Sequence, residues 1–207
     1  MATPDEVAAD FDGVLEPDGV YDEVRLRGDD VVRADAEGSR FLDCVLDTCD
    51  LTEAKLGRTH WVDTRLDRPR GVGTDLSDAS LQDVEVSGAR LGACAAYGSS
   101  WLRVTVRGGK LDFLNLRAAT LTDVRFEDCV LVEPDFAGAR LKGVTFSGCV
   151  LERPEWSNAT LTKVDLSEAR LLAPQGLTSL RGATVSRVQL IELADAFADQ
   201  LGIAVRD

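Results

Sequence analysis

One histidine, one methionine and 6% aromatic residues leave this chain short of what enzymes and metal proteins are built from. His60 is the single imidazole, and the five cysteines contain no Cys-x-x-Cys pair, so a zinc ligand set is not expected. A nucleophile needs a base at a recognisable spacing, and no Ser or Cys here has one, so the reading is of a protein that is not an enzyme. Gly71-Val72-Gly73 lacks the third glycine and the strand-to-helix setting of a dinucleotide site, and no cofactor is expected. Long apolar runs are missing too. The start, MATPDEVAADFDG, is acidic, so neither a signal peptide nor a membrane span is expected, and the cytoplasm is the expected location. With a net charge of −13, direct nucleic-acid binding is disfavoured.

What the chain does have is a period of five. From Tyr21 to Leu171 every fifth residue is apolar or small, and 21 of these 31 positions are Leu or Phe. Ala36, Gly71 and Ala96 are the small ones. An α-helix repeats at 3.6 and a strand at 2, so a period of five predicts a repeat solenoid. Two residues before each large position stands a mostly small one, such as Cys44, Ala54, Thr59, Ala79, Ala89 or Val124. A step of two keeps side chains on one face of extended chain. The step of three that follows must then turn a corner, so five residues make one side of a tube.

A second period, of twenty, counts the sides. Residues 119–138 read ATLTDVRFEDCVLVEPDFAG and residues 139–158 read ARLKGVTFSGCVLERPEWSN. Pro134, Pro154 and Pro174 align at this spacing, as do Val84, Val104, Val124, Val144 and Val164. Four sides per coil predict an all-β solenoid, a square-sectioned β-helix of about eight coils, each about 4.8 Å high, in a rod of about 37 Å. All five cysteines occupy the small inward position and are expected as buried thiols. Cys129 and Cys149 should stack with Cα atoms about 5 Å apart, within disulfide range, although a reducing cytoplasm opposes a bridge.

The units A-R-L-K-G, A-T-L-T-K and C-D-L-T-E resemble the A-(D/N)-L-x-x signature of pentapeptide-repeat proteins, over residues 21–175. The resemblance implies a right-handed quadrilateral β-helix. It also implies that some members bind type II topoisomerases such as DNA gyrase as DNA mimics and alter drug sensitivity. The alternative is a structural or adaptor scaffold for another protein, with no topoisomerase role, since fold does not imply function.

Three segments are expected: an acidic arm or cap at 1–20, the β-helix at 21–175, and a C-terminal helix at 176–207. The arm holds six acids and no Lys or Arg, and its Phe11, Val14 and Leu15 are placed to fold over the first coil. Past Leu171 the register dissolves. Ser186 with Gln189 reads as a capping box, and Gly202 as a C′ residue. Between them Leu190, Leu193, Ala194, Phe197 and Leu201 recur at helical spacing. This stripe either seals the last coil or pairs two subunits into a homodimer, as the resemblance to quinolone-resistance members implies.

Two charged columns are candidate partner-binding surfaces. Asp43, Asp63, Asp83 and Asp123 share one outward position, interrupted by Arg103; they form either a phosphate-mimicking stripe or a corner where Asp bonds nearby backbone. Arg70, Arg90 and Lys110 form a basic column on another side, within a stretch, residues 86–120, of net charge +4. This belt either meets an anion or acidic partner or pairs with neighbouring acids. Exposed apolar residues such as Leu102 and Phe113 are further candidates for a scaffold surface. At Pro69 to Gly73 a bulge or small loop is expected, because Gly71 stands at a large position. Charge bears on mimicry. Residues 21–175 carry 26 acids against 20 bases, a net of −6, whereas B-DNA of this length carries about 22 charges.

Overall fold

The computed structural model describes residues 8–205. The chain is a parallel β-solenoid of about eight coils, each with four faces. One coil shows the plan: strands His60–Val62, Arg65–Asp67 and Arg70–Val72 form three faces, and a single bridge at Asp75 forms the fourth. Each face stacks on its equivalent twenty residues on, as in Tyr21↔Phe41, Phe41↔Trp61 and Trp61↔Leu81. The first face is a sheet of eight strands. The second and third merge into one sheet because Glu85–Gly92, Thr105–Asp112 and Arg125–Val132 run through the corner between them.

The corners explain the step of three. From Asp18 to Lys163 every fifth residue has a positive φ. A left-handed residue reverses the pleat, so the next pair of side chains faces inward again. Its N–H then reaches the adjacent coil: Asp43 donates to the Val62 carbonyl at 3.1 Å and Asp123 to that of Lys142 at 2.8 Å. The conformation costs an ordinary L-residue about 1–2 kcal/mol, and Gly, Asn and Asp least. Gly and Asp accordingly recur at corners, and Gly88 and Gly108 sit where the long strands bend.

Inside, like stacks on like. Phe41 and Trp61 lie ring on ring at 4.0 Å, Phe126 and Phe146 at 4.9 Å, and Phe136 and Trp156 at 4.4 Å. These spacings match the separation of stacked strands. The Trp61 indole N–H donates to Thr59 Oγ1 at 2.7 Å, and that hydroxyl donates to the Leu56 carbonyl at 2.6 Å. All five cysteines are buried as free thiols. Burial pushes Cys44 up to about 11 and Cys49 and Cys94 up to about 12, so these thiols stay protonated. Cys129 and Cys149 do stack, the Cys129 N–H donating to Cys149 Sγ at 3.4 Å.

At the first coil, Ala9–Asp10 pairs with Val24–Arg25, Phe11 packs edge-on against Tyr21 at 5.7 Å, and Leu15 is buried. Val14 instead points to solvent. The rest of the acidic arm, residues 1–7, lies outside the described residues, as do 206–207 at the other end.

Two sequence expectations fail here. Pro69 to Gly73 forms no loop, because Arg70–Val72 is a strand in full register with Arg90–Gly92. Gly71 makes this possible. With φ at 155° its backbone lies so close to Leu51 and Thr52 that a Cβ would stand 2.7 Å from the Thr52 nitrogen. The single C-terminal helix is two: α1, Arg187–Glu192, and α2, Ala194–Gln200, break at Leu193. Leu193 turns inward and is buried, and Phe197 packs partly against the core, whereas Leu190, Ala194 and Leu201 face solvent. The capping box is present, with Ser186 N–H donating to Gln189 Oε1 at 2.6 Å and Gln189 N–H to Ser186 Oγ at 3.2 Å. Buried Gln189 also donates from Nε2 to the carbonyls of Leu166 and Ala169, at 2.6 and 2.5 Å. It closes acceptors that the end of the solenoid leaves open.

Candidate interaction surface

The acidic column is where the twenty-residue period places it, and its backbone explains its composition. Asp43, Asp63, Asp83 and Asp123 are corner residues with φ between 48° and 54°, positions where Asp is tolerated best among charged residues. Arg103 occupies the same corner and holds Asp83 through two hydrogen bonds of 2.5 Å, which keeps that carboxyl below its ordinary range. Asp123 leans over Gly143 of the next coil, where a Cβ would lie 2.5 Å from Oδ1. Asp43 and Asp63 have no ion-pair partner among the described residues. Burial, with Asp83 and Asp43 nearby, pushes the Asp63 carboxyl up. The column is therefore two free carboxylates, one neutralised and one isolated.

A second acidic column escaped the sequence reading. Asp35, Asp75, Asn115, Asp135 and Glu155 stack on the fourth face, bridged through Lys55 and Ala95. Asp75, Asn115, Asp135 and Glu155 each accept the backbone N–H two residues on, at 2.6 to 3.1 Å. These side chains hold the tight turn that follows each single-residue bridge of this face. The signal available in the sequence was Asp or Asn at spacings of twenty and forty.

The basic column lies on the third face. Arg70, Arg90 and Lys110 are stacked in register. Arg70 pairs with Asp50 at 3.2 Å and Lys110 with Asp112 at 2.9 Å, while Arg90 has no ion-pair partner among the described residues. Around them is a groove of about 680 Å³. Gly71, Gly92 and Gly109 form its bare backbone, Val72 its edge, and Leu91 is left half-buried in it. Gly109 is required: with φ at 116°, a Cβ would stand 2.3 Å from the Ala89 carbonyl oxygen. Oδ1 of Asp112, also in the groove, is buried and accepts no hydrogen bond. Phe113 follows at the corner, 54% exposed, with φ at 55°. A bulky aromatic in a left-handed conformation is a strained choice. Leu102, the other apolar candidate, is half-buried on the first face. No helix among the described residues is long and apolar enough to cross a membrane.

Comparison with known proteins adds the following. The family model "Pentapeptide repeats" matches residues 110–148 and 139–171, with eight copies of the repeat. Among solved structures the chain is similar to QnrB1, a plasmid-mediated fluoroquinolone resistance protein, in a trypsin-treated form. The identity is 15%, covering 91% of this chain and 99% of that one, with a TM-score of 0.46. It is similar as well to HetL, a pentapeptide repeat protein involved in heterocyst differentiation regulation from the cyanobacterium Nostoc sp. strain PCC 7120. Here the identity is 19%, the coverage 84% of this chain and 92% of that one, and the TM-score 0.36. No curated protein matches the chain. The five-residue register runs unbroken from Tyr21 to Leu171, and within residues 110–171 it matches the model of the pentapeptide-repeat family.

Proposed function

We propose that this protein is a non-catalytic, cytoplasmic interaction scaffold that holds a partner protein against its third face. The groove around Arg90 carries this reading. There the inward register loses its large side chain at Gly71, Leu91 becomes reachable, and one cation is left without a counter-charge. The residues with chemical potential elsewhere have structural employment. The cysteines fill the core, and the fourth-face carboxylates hold turns. The test is site-specific cross-linking in cells, with a photoreactive side chain placed at Val72 or at Asp63. A discrete partner captured from position 72, and lost on Arg90→Glu, is the expected result. Capture from position 63 alone would move the binding face to the acidic corner.

Asp43 and Asp63 favour a second reading, the one the family resemblance implies: binding of DNA gyrase or another type II topoisomerase as a DNA mimic. They are stacked carboxylates that make no ion pair among the described residues, despite their mutual repulsion. Against it stands the net of −6 over residues 21–175, beside about 22 charges on DNA of equal length. A gyrase supercoiling titration, with and without a fluoroquinolone, separates the two readings. Under the first, wild type has no effect; under the second, it inhibits or protects, and Asp43→Lys/Asp63→Lys abolishes the effect. The reversal disturbs no ion pair, and Lys163 already holds the same corner conformation at φ 54°. In either case we assign subunit pairing to the apolar residues that the break at Leu193 leaves outside, Leu190, Ile191 and Leu201.

A further inference from the structure

We infer that the groove on the third face takes an acidic segment of a partner protein, one carboxylate of which meets Arg90 while a neighbouring apolar side chain covers Leu91. This rests on the scaffold reading and names what the scaffold holds. Charge comes first. Of the three stacked cations, Arg70 and Lys110 are each engaged by an acid of the groove itself, so the surplus positive charge is centred on Arg90. An acidic group fits there, and a basic one is repelled.

The second observation separates a peptide from a simple anion. Asp112 Oδ1 is buried in the groove wall without a donor, and a buried acceptor left unmade is costly. An occupant that brings an N–H as well as a negative charge can supply that donor where the groove wall gives way to it. A peptide has both within one residue, the carboxylate on its side chain and the donor on its backbone, whereas sulfate brings no donor. The third observation is apolar. Val72 rises on one side of Gly92, which has no side chain, Asp112 is its register partner on the other with Phe113 next along the chain at the corner, and Leu91 lies half-buried beside it. A side chain laid across Gly92 replaces the water over Leu91. Phe113 thereby acquires a reason for its strained, exposed position, where every other corner from Asp18 to Lys163 carries glycine, alanine or a polar residue.

The test is fluorescence anisotropy of labelled octapeptides titrated with the full-length protein. The probe has the sequence Glu-Glu-Phe-Glu-Glu-Phe-Glu-Glu, and its partner has Gln in place of every Glu. Saturable binding of the acidic probe is expected, weakened about tenfold or more by Arg90→Glu and several-fold by Phe113→Gly. Asp43→Lys/Asp63→Lys should leave it unchanged, and sulfate at equal ionic strength should not compete. Circular dichroism confirms that each variant is folded. Equal affinity of the Gln peptide, full competition by sulfate, or unchanged binding by Arg90→Glu would each overturn the inference. If the acidic probe fails while position 72 still captures a partner in cells, the inference falls and the scaffold reading stands. Failure of both removes the third face as the binding surface.

Discussion

A left-handed residue every fifth position selects glycine and aspartate, and that local demand accounts for much of what looks like an acidic stripe. Asp63 shows where it does not. Its carboxyl is raised, first by burial and then by Asp83 and Asp43, so its ionised form is disfavoured in the folded chain. Its contribution to stability therefore falls as pH rises from the ordinary carboxylate range through the raised value. Asp63→Asn keeps a residue suited to the corner and removes the charge. The expected outcome is a higher urea midpoint than wild type at pH 7, with the advantage gone at pH 3. An unchanged or lower midpoint at pH 7 would show that the corner needs the carboxylate itself. Asp83 runs the other way, since Arg103 lowers its carboxyl. That stability is present at neutral pH and is lost as pH falls through the lowered value.

Among elements, the strands stack uniformly and the ends carry the individuality. The C-terminal segment closes the solenoid through one buried amide, that of Gln189, which is both a capping-box acceptor and a donor to two carbonyls. Gln189→Leu loses all of this and is expected to cost about 2 kcal/mol or more, read as a lower urea midpoint. Gln189→Glu divides the roles, because it keeps an acceptor for the Ser186 N–H and has no donor for Leu166 and Ala169. A loss close to that of the leucine variant would place the stabilisation in the carbonyl bonds. A near-native midpoint would place it in the cap of α1. The capping box was legible as Ser186 and Gln189. The break at Leu193 was not, since a helical stripe does not reveal that one of its leucines must turn to cover the last coil.

As a whole, the molecule is a rod whose charges neutralise one another along its axis. Arg33–Glu53, Lys55–Asp35, Arg70–Asp50, Arg107–Glu127 and Arg153–Glu133 all join residues twenty apart, at 2.6 to 3.2 Å. Each exposed pair contributes only about 0–1 kcal/mol. Within the third-face groove and the acidic corner these pairs leave Arg90, Asp43 and Asp63 without one among the described residues. The apolar residues outside the last coil bear on the proposed subunit pairing: Ile191 and Leu201 are 71% and 70% exposed, and Leu190 54%. Leu190→Asp/Ile191→Asp is expected to turn a dimer into a monomer in sedimentation equilibrium without loss of β structure. A wild-type monomer at high concentration would show instead that this surface does not join two subunits.

Inward positions were readable from the sequence because burial in a solenoid is one-dimensional. Each side chain's fate follows from its place among five residues and its neighbour from a period of twenty, so the four faces, the stacked rings and the buried thiols were all legible in the chain. Outward residues obey no such rule. Whether Arg103 is spent on Asp83, whether Asp75 serves a turn, and whether the gap at Gly71 becomes a loop or a groove depend on backbone and side chains one coil away. Only the tertiary structure brings these within reach of each other. There the glycine backbone settles against Leu51 and Thr52, the strand keeps its register, and the missing side chain opens a groove beside Arg90.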